Sequence, residues 1–317
     1  MTAKRIPFSR PYPLDPSELS GGFSKIIDTR WYTKGENVKG FEEAMRSYLD
    51  VDHAIATGTG SAALVIGLHA YANRVGADSI TMPAFTFEAV RYTINFAGIK
   101  NIEYGDVDPK TWTLQDADYS TPLVMGMDTF GNRCDIKKTE PERLILDAAQ
   151  SFGTEIKRER GALEIISFAG SKVLTTGGEG GMIVTNDKTL ADECAHLREL
   201  FSKMPESCAL VGLAMMEHID EILERKAEIA DRYRRSIPLR FQEITSTNNY
   251  IVACLMKNRD TFIEKHKSRV DFRDFYREPL ASAPVTDTLA EKMLCLPNGP
   301  EILPEIDYVC DLVKSWI

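Results

Sequence analysis

Short apolar runs alternate with helix-patterned stretches through the first two-thirds of the chain. The segments His53–Thr57, Ser79–Met82, Asn101–Gly105, Leu123–Met127, Arg143–Leu146, Glu164–Phe168 and Met182–Thr185 predict strands. Several are apolar at consecutive positions instead of alternating, which is the pattern of strands covered on both faces. Between the first two lies Ser61–Asn73, with Leu64, Leu68 and Tyr71 on one helical stripe, and Glu88–Phe96 predicts a second helix. This strand–helix alternation predicts an α/β fold with a mainly parallel central sheet flanked by helices.

Beyond about residue 205 the pattern changes. Ala209–Ile237 predicts one long helix, because Ile219, Ile222, Leu223, Ile229 and Tyr233 recur at three- and four-residue spacing. Glu221, Glu224, Arg225, Glu228 and Arg232 form its charged face, a solvated surface with i,i+4 pairs. A strand is predicted at Tyr250–Met256 and a last helix near Pro304–Trp316. The division expected is a large α/β domain over 15–210 and a smaller α+β domain over 211–317, in keeping with about 150 residues per domain for a chain of 317.

Composition narrows the classes. The net charge of −9 argues against a general nucleic-acid binder, which needs clustered Lys and Arg. No apolar run approaches the ~18 residues of a membrane helix. The N-terminus has basic residues but lacks the apolar core of a secretory signal. The six cysteines, Cys134, Cys194, Cys208, Cys254, Cys295 and Cys310, show no CxxC spacing and no zinc pattern with the histidines. They read as reduced, mostly buried thiols of a cytoplasmic protein without a metal site.

Four segments carry candidate chemistry. In Ile165–Thr185 a strand ends at Ser167-Phe168, Lys172 follows, and then comes the run Gly177–Gly181. A lysine on such a loop is either a surface residue of a hairpin or, once desolvated, a nucleophile able to form a Schiff base with a carbonyl cofactor. The glycine run is not a nucleotide P-loop, since no Gly-Lys-Ser/Thr follows it. In Leu144–Gly153 a strand delivers Asp147 to its carboxyl end, where α/β sheets place ligands. A carboxylate there either caps a helix or holds a protonated pyridine nitrogen, the pairing that stabilises the electron-sink form of pyridoxal phosphate; Gln150 offers a donor to a ring oxygen. Thr57–Leu64 runs from a strand through small residues into a helix, which is either a plain turn or an anion site helped by the Ser61 hydroxyl. In Pro83–Ala89, Phe85 and Phe87 are candidates for core packing or for stacking on a flat ring.

Taken in order, these segments resemble the DegT/DnrJ/EryC1/StrS aminotransferases, a sugar-aminotransferase branch of the fold-type I pyridoxal-phosphate enzymes. The resemblance covers nearly the whole chain. It begins at Trp31–Gly35 and Phe41-Glu42 and continues through Gly60–Leu64, Asp106–Pro109 and Phe130–Asn132. Asp147–Gln150, Ser167-Phe168 with Lys172, and Gly178–Gly181 follow, and together they are specific to this family.

The resemblance implies a Schiff base on Lys172, which would also act as acid and base, and Asp147 paired with the pyridinium nitrogen. It implies Gln150 on the ring hydroxyl, Phe87 stacked on the ring, and Gly60, Ser61 and Ser167 on the phosphate. The activity implied is transfer of an amino group, from L-glutamate, to a keto group of a nucleotide-linked sugar, at the interface of a homodimer. Other readings stand beside it: transfer to a non-nucleotide carbonyl such as a cyclitol, or a cofactor-binding regulatory or sensor paralogue. A sugar dehydratase of the related kind is disfavoured because Lys172 is present where those proteins typically have His. The chain also departs from the family. Phe201–Met204 stands where members carry Asn-Tyr-Arg-Met, whose Asn reaches the partner subunit's cofactor phosphate, so Ser202 or Lys203 either takes over that contact in trans or has a plain surface role. Asp128 occupies a position that is often His, and the link from Asp147 to Ser167 is short.

Overall fold

The structure, a computed structural model, describes residues 5–154 and 161–317. The first of the N-terminal basic residues, Lys4, and part of the short link between Asp147 and Ser167 lie outside the described residues. Helices α1 (Pro16–Thr29) and α2 (Glu36–Leu49) precede β1 (His53–Thr57), α3 (Gly60–Val75), β2 (Ser79–Pro83) and α4 (Ala89–Phe96). Then come β3 (Asn101–Gly105), β4 (Leu123–Met127), β5 (Leu144–Asp147), β6 (Leu163–Ser167), β7 (Gly181–Thr185) and α5 (Lys188–Phe201). The remainder is α6 (Glu206–Glu217), α7 (Ile219–Ser236), β8 (Arg240–Phe241), β9 (Val252–Leu255), α8 (Arg259–His266), α9 (Pro284–Lys292), β10 (Met293–Leu296) and α10 (Ile306–Lys314).

The first seven strands form one sheet in the order β1-β7-β6-β5-β4-β2-β3. The pairs from β3 to β6 are parallel, and β7 runs antiparallel to both of its neighbours, with Thr57 and Ser167 both opposite Gly181. The sheet is therefore α/β and mainly parallel, and each strand end falls within one residue of its sequence prediction. Both faces are covered, which explains the continuous apolar runs. Ile55, Met125, Ile145, Ile165 and Ile183 pack with Leu64 and Leu68 of α3 on one face. Ala56, Ile166, Met182 and Val184 point the other way and pack with Phe41 and Met45 of α2 and Met215 of α6. The smaller sheet, β10-β9-β8, packs with Ile229 and Tyr233 of α7 and with Val309 and Val313 of α10. A fourth cluster, including Phe85, Trp112, Phe130, Ala253 and Cys295, joins the two sheets.

Two predictions change. The long helix over Ala209–Ile237 is two helices, broken at His218, whose φ of −107° and ψ of 7° are not helical. Neither Gly nor Pro marks the break. α6 packs Ala209 and Met215, and the start of α7 packs Ile219 and Ile222, in the layer against the large sheet, whereas Ile229 and Tyr233 further along α7 pack with the small sheet. The expected division at 210/211 falls inside α6. α7 also buries a lysine on its apolar face. Lys226 donates to the carbonyl of Asn298 at 3.2 Å and to its Oδ1 at 2.7 Å, and burial lowers its pKa to about 8. The last helix is shorter than expected, a 3₁₀ turn at Pro300–Glu305 leading into α10.

Among the described residues no helix is long and apolar enough to cross a membrane. All six cysteines are free, and five are buried. Burial pushes the Cys194 and Cys254 thiols up to about 12, which leaves them unreactive.

Candidate active site

The carboxyl ends of the parallel strands share one sheet edge with the amino end of β7. Ligands of open α/β sheets bind at this edge, because the loops there are free to diverge. Gly60, Ser61, Phe87, Asp147, Gln150, Ser167 and Lys172 come together from four loops to line one cavity of about 400 Å³.

Asp147 ends β5 and forms part of the wall, 5% exposed. Its Oδ1 accepts the Ala149 N–H at 3.0 Å. Burial raises its pKa to about 6, opposed by that hydrogen bond and by the Lys172 charge, and reinforced by Asp128. One oxygen has no hydrogen-bond partner among the described residues, so the carboxylate is incompletely compensated. A cationic N–H inside the cavity supplies what it lacks. Asp128 supports it from behind: its N–H donates to the Asp147 carbonyl, while its carboxylate accepts from the Ser151 hydroxyl at 2.6 Å and the Cys134 N–H at 2.7 Å.

Lys172 is half-buried on the loop between β6 and β7, which form an antiparallel pair. The hairpin alternative and the cavity-facing lysine are thus both true of this segment. Its Nζ lies 5.0 Å from the centroid of the Tyr250 ring, and the Tyr250 hydroxyl lies 3.4 Å from Ser171 Oγ.

The anion end is built by close backbone approach. Thr59 caps α3 by accepting the Ala62 N–H at 3.0 Å, which leaves the first helical N–H groups, at Gly60 and Ser61, facing outward for an anion. A Cβ at Gly60 would lie 2.8 Å from Ser167 Cβ, and one at Gly181 would lie 2.6 Å from Gly60 N. Both glycines are needed for β1, β6 and β7 to present their ends this closely.

Phe87 is 60% exposed at the cavity, whereas Phe85 is fully buried; the two candidates divide into a cavity-facing ring and a core ring. Gln150 is fixed by two bonds. Its Oε1 accepts the Phe130 N–H at 2.7 Å and its Nε2 donates to the Tyr276 hydroxyl at 2.6 Å. Ser202 does not line the cavity. Its Oγ and its carbonyl accept the N–H of Gly58 in the same chain, at 3.1 and 3.2 Å, so it braces the turn from within the subunit.

Sequence reasoning missed Tyr250, Tyr276, Ser171 and Glu179, which also line the cavity. Tyr250 precedes a strand and Tyr276 lies in an irregular segment. No periodicity or turn signal marks either, because the fold brings them from more than 70 residues away from Lys172.

A lysine, a buried carboxylate in the same cavity, and an anion turn at one edge of such a sheet define a fold-type I pyridoxal-phosphate enzyme; these residues fit the cofactor's aldehyde, ring nitrogen and phosphate. The model of the DegT/DnrJ/EryC1/StrS aminotransferase family matches residues 16–314. The chain belongs to that family and is a pyridoxal-phosphate-dependent aminotransferase. It is similar to the GDP-perosamine synthase of Escherichia coli O157:H7, with 27% identity over 92% of this chain and 94% of the relative. The structure of DesI in the presence of its TDP-sugar product superposes with a TM-score of 0.85 at 24% identity, covering 98% of this chain and 92% of that one. NtdA from Bacillus subtilis, solved with its cofactor PMP, gives a TM-score of 0.83 at 20% identity, over 99% of this chain and 86% of that one.

Proposed function

We propose that this aminotransferase moves an amino group from L-glutamate to a keto group of a nucleotide-linked sugar, as a cytoplasmic homodimer. The observation that carries the reading is that Lys172 and the buried Asp147 face one cavity of about 400 Å³. The similarity to GDP-perosamine synthase supports a sugar acceptor, as does the likeness to DesI with its TDP-sugar product.

Pyridoxal phosphate, when bound, supplies an electron sink for the substrate's α-carbon. Gly60 and Ser61 N–H groups and the Ser167 hydroxyl would hold its phosphate, and Phe87 would hold the face of its ring. Asp147 holds a proton at the ring nitrogen. That cation restores the carboxylate to its ionised form, because an opposite charge offsets the cost of burial. Lys172 Nζ would remove the proton from the substrate's α-carbon and return it to the carbon two bonds further along, beyond the transferred nitrogen, so a single group serves as base and then as acid. The donor leaves before the acceptor binds, and the kinetics are ping-pong. We also place the division between the large and small domains near residue 210.

The test is the absorbance of the purified holoenzyme before and after L-glutamate, followed by a panel of keto nucleotide sugars. Loss of the visible cofactor band on adding L-glutamate, and its return with one of the sugars, is the expected result. A band unmoved by L-glutamate rejects that donor. A band that L-glutamate discharges and only a free cyclitol ketone restores rejects the nucleotide sugar.

A further inference from the structure

The hydrogen bonds around Gln150 leave two donors unused on neighbouring residues that line the cavity. The Phe130 N–H can only donate, so the Gln150 atom facing it at 2.7 Å is Oε1, and the atom facing Tyr276 at 2.6 Å is Nε2. Nε2 then uses one of its two hydrogens on the Tyr276 oxygen. The phenol accepts that bond, and its own proton has no acceptor among the described residues. One N–H of Gln150 and the O–H of Tyr276 are therefore both unused, on neighbouring atoms, and both residues line the cavity that holds Asp147 and Lys172.

The phenol is a fixed donor. Its ring stacks on Phe130 with centroids 5.6 Å apart and planes 4° from parallel, and Phe85 meets it edge-on at 5.2 Å. The backbone of Tyr276 is held at a φ of 60°, in the left-handed region, a conformation kept only where the surroundings enforce it. Burial raises the phenol's pKa well above its ordinary value, so it stays protonated throughout the neutral range. Two donors on neighbouring atoms, one of them on a ring held by its packing, suit an oxygen that carries negative charge.

We propose that Tyr276 is a second donor to the oxygen that Gln150 addresses, the phenolic oxygen of the pyridoxal ring, so that this oxygen sits in a two-donor cradle. The inference rests on the functional reading above and adds a positioning residue to it. The cradle fixes the ring's rotation in its plane, and with it the direction from which Lys172 meets the substrate.

The experiment compares two probes, pyridoxal phosphate and its 3-deoxy analogue, which lacks only that oxygen. Tyr276→Phe keeps the ring stack and removes the donor. Equilibrium dissociation constants are measured for both probes on wild type and variant. The expected result is a loss of about tenfold for pyridoxal phosphate, the size of a hydrogen bond to a charged group, with affinity for the 3-deoxy analogue changed less than about twofold. Unaltered affinity for pyridoxal phosphate, or equal losses for the two probes, overturns the cradle while leaving the cofactor reading intact. Failure of wild type to bind pyridoxal phosphate at all overturns both.

Discussion

At the residue scale, the site depends on a carboxylate that the cofactor-free protein accommodates at a cost. Asp147 has a folded-state pKa of about 6 against an ordinary value of 3.8, a difference of about 3 kcal/mol between its two protonation states. The folded chain holds the extra proton between those two values, so this group lowers stability as pH rises through that window. Asp147→Asn removes the dependence. The cofactor-free variant is expected to be more stable than wild type at pH 7.5 by about 1–3 kcal/mol and to lose that advantage below pH 4, as followed by urea unfolding at both pH values. An advantage that does not vary with pH refutes the assignment. The same substitution is expected to remove most of the turnover. In the proposed mechanism Lys172 has the complementary role, since among the described residues no other lysine lines the cavity. Lys172→Ala is expected to abolish the covalent cofactor band and to slow turnover at least about a thousandfold; steady-state rates near wild type would reject the mechanism.

At the element scale, the phosphate end relies on backbones that touch. Gly181→Ala would place a methyl group 2.6 Å from Gly60 N and against the Thr59 carbonyl, with both β1 and β6 bonded to the strand that carries it. The expected cost is about 1–3 kcal/mol of stability, together with weaker cofactor binding as the turn shifts; calorimetry and cofactor titration check the two effects. A second element depends on a distant carboxylate. Gly35 precedes α2 and has no side chain to cap it. Glu206, buried at the start of α6, accepts the N–H groups of Gly35, Asn37 and Val38 at 2.6, 2.9 and 3.2 Å. Glu206→Ala is expected to cost about 2–3 kcal/mol in urea unfolding, and a change under about 0.5 kcal/mol would show that the helix finds other partners.

At the scale of the whole molecule, exposed apolar side chains gather in one region. Trp31, Tyr32, Leu200 and Phe201 are each more than half exposed. Their segments adjoin, since Thr33 bridges Pro205 and the Glu206 N–H donates to the Tyr32 carbonyl at 2.9 Å. Contiguous apolar surface of this kind marks an association site, in line with the proposed dimer. Lys203 is exposed beside it. If Ser202 or Lys203 serves the partner's phosphate site, mixing a Lys172→Ala subunit with a Ser202→Ala or Lys203→Ala subunit should restore activity, because one site of the heterodimer then holds both intact groups. Mixtures no more active than their parents would limit Ser202 to the bond it makes with its own Gly58.

What the sequence determined by itself is what lies within a short stretch of chain. Apolar runs locate the strands because both faces of the sheet are covered. Strand ends followed by small residues, Asp147 or Lys172 reveal the sheet edge because a parallel strand delivers its next residues to one side. Tertiary structure decided everything that depends on what lies opposite. The break at His218 lies within one apolar pattern, and that pattern passes from the large sheet's layer to the small sheet's only further along α7, between Ile222 and Ile229. Phe85 and Phe87 look alike in sequence, and only the packing buries one and leaves the other facing the cavity. Glu206 and Lys226 look like surface charges until their partners, Gly35 and Asn298, are brought beside them. Tyr276 gains its place from a hydrogen bond to a residue 126 positions away. Local periodicity reports burial along one element, whereas the meeting of two elements is fixed only when the whole core packs.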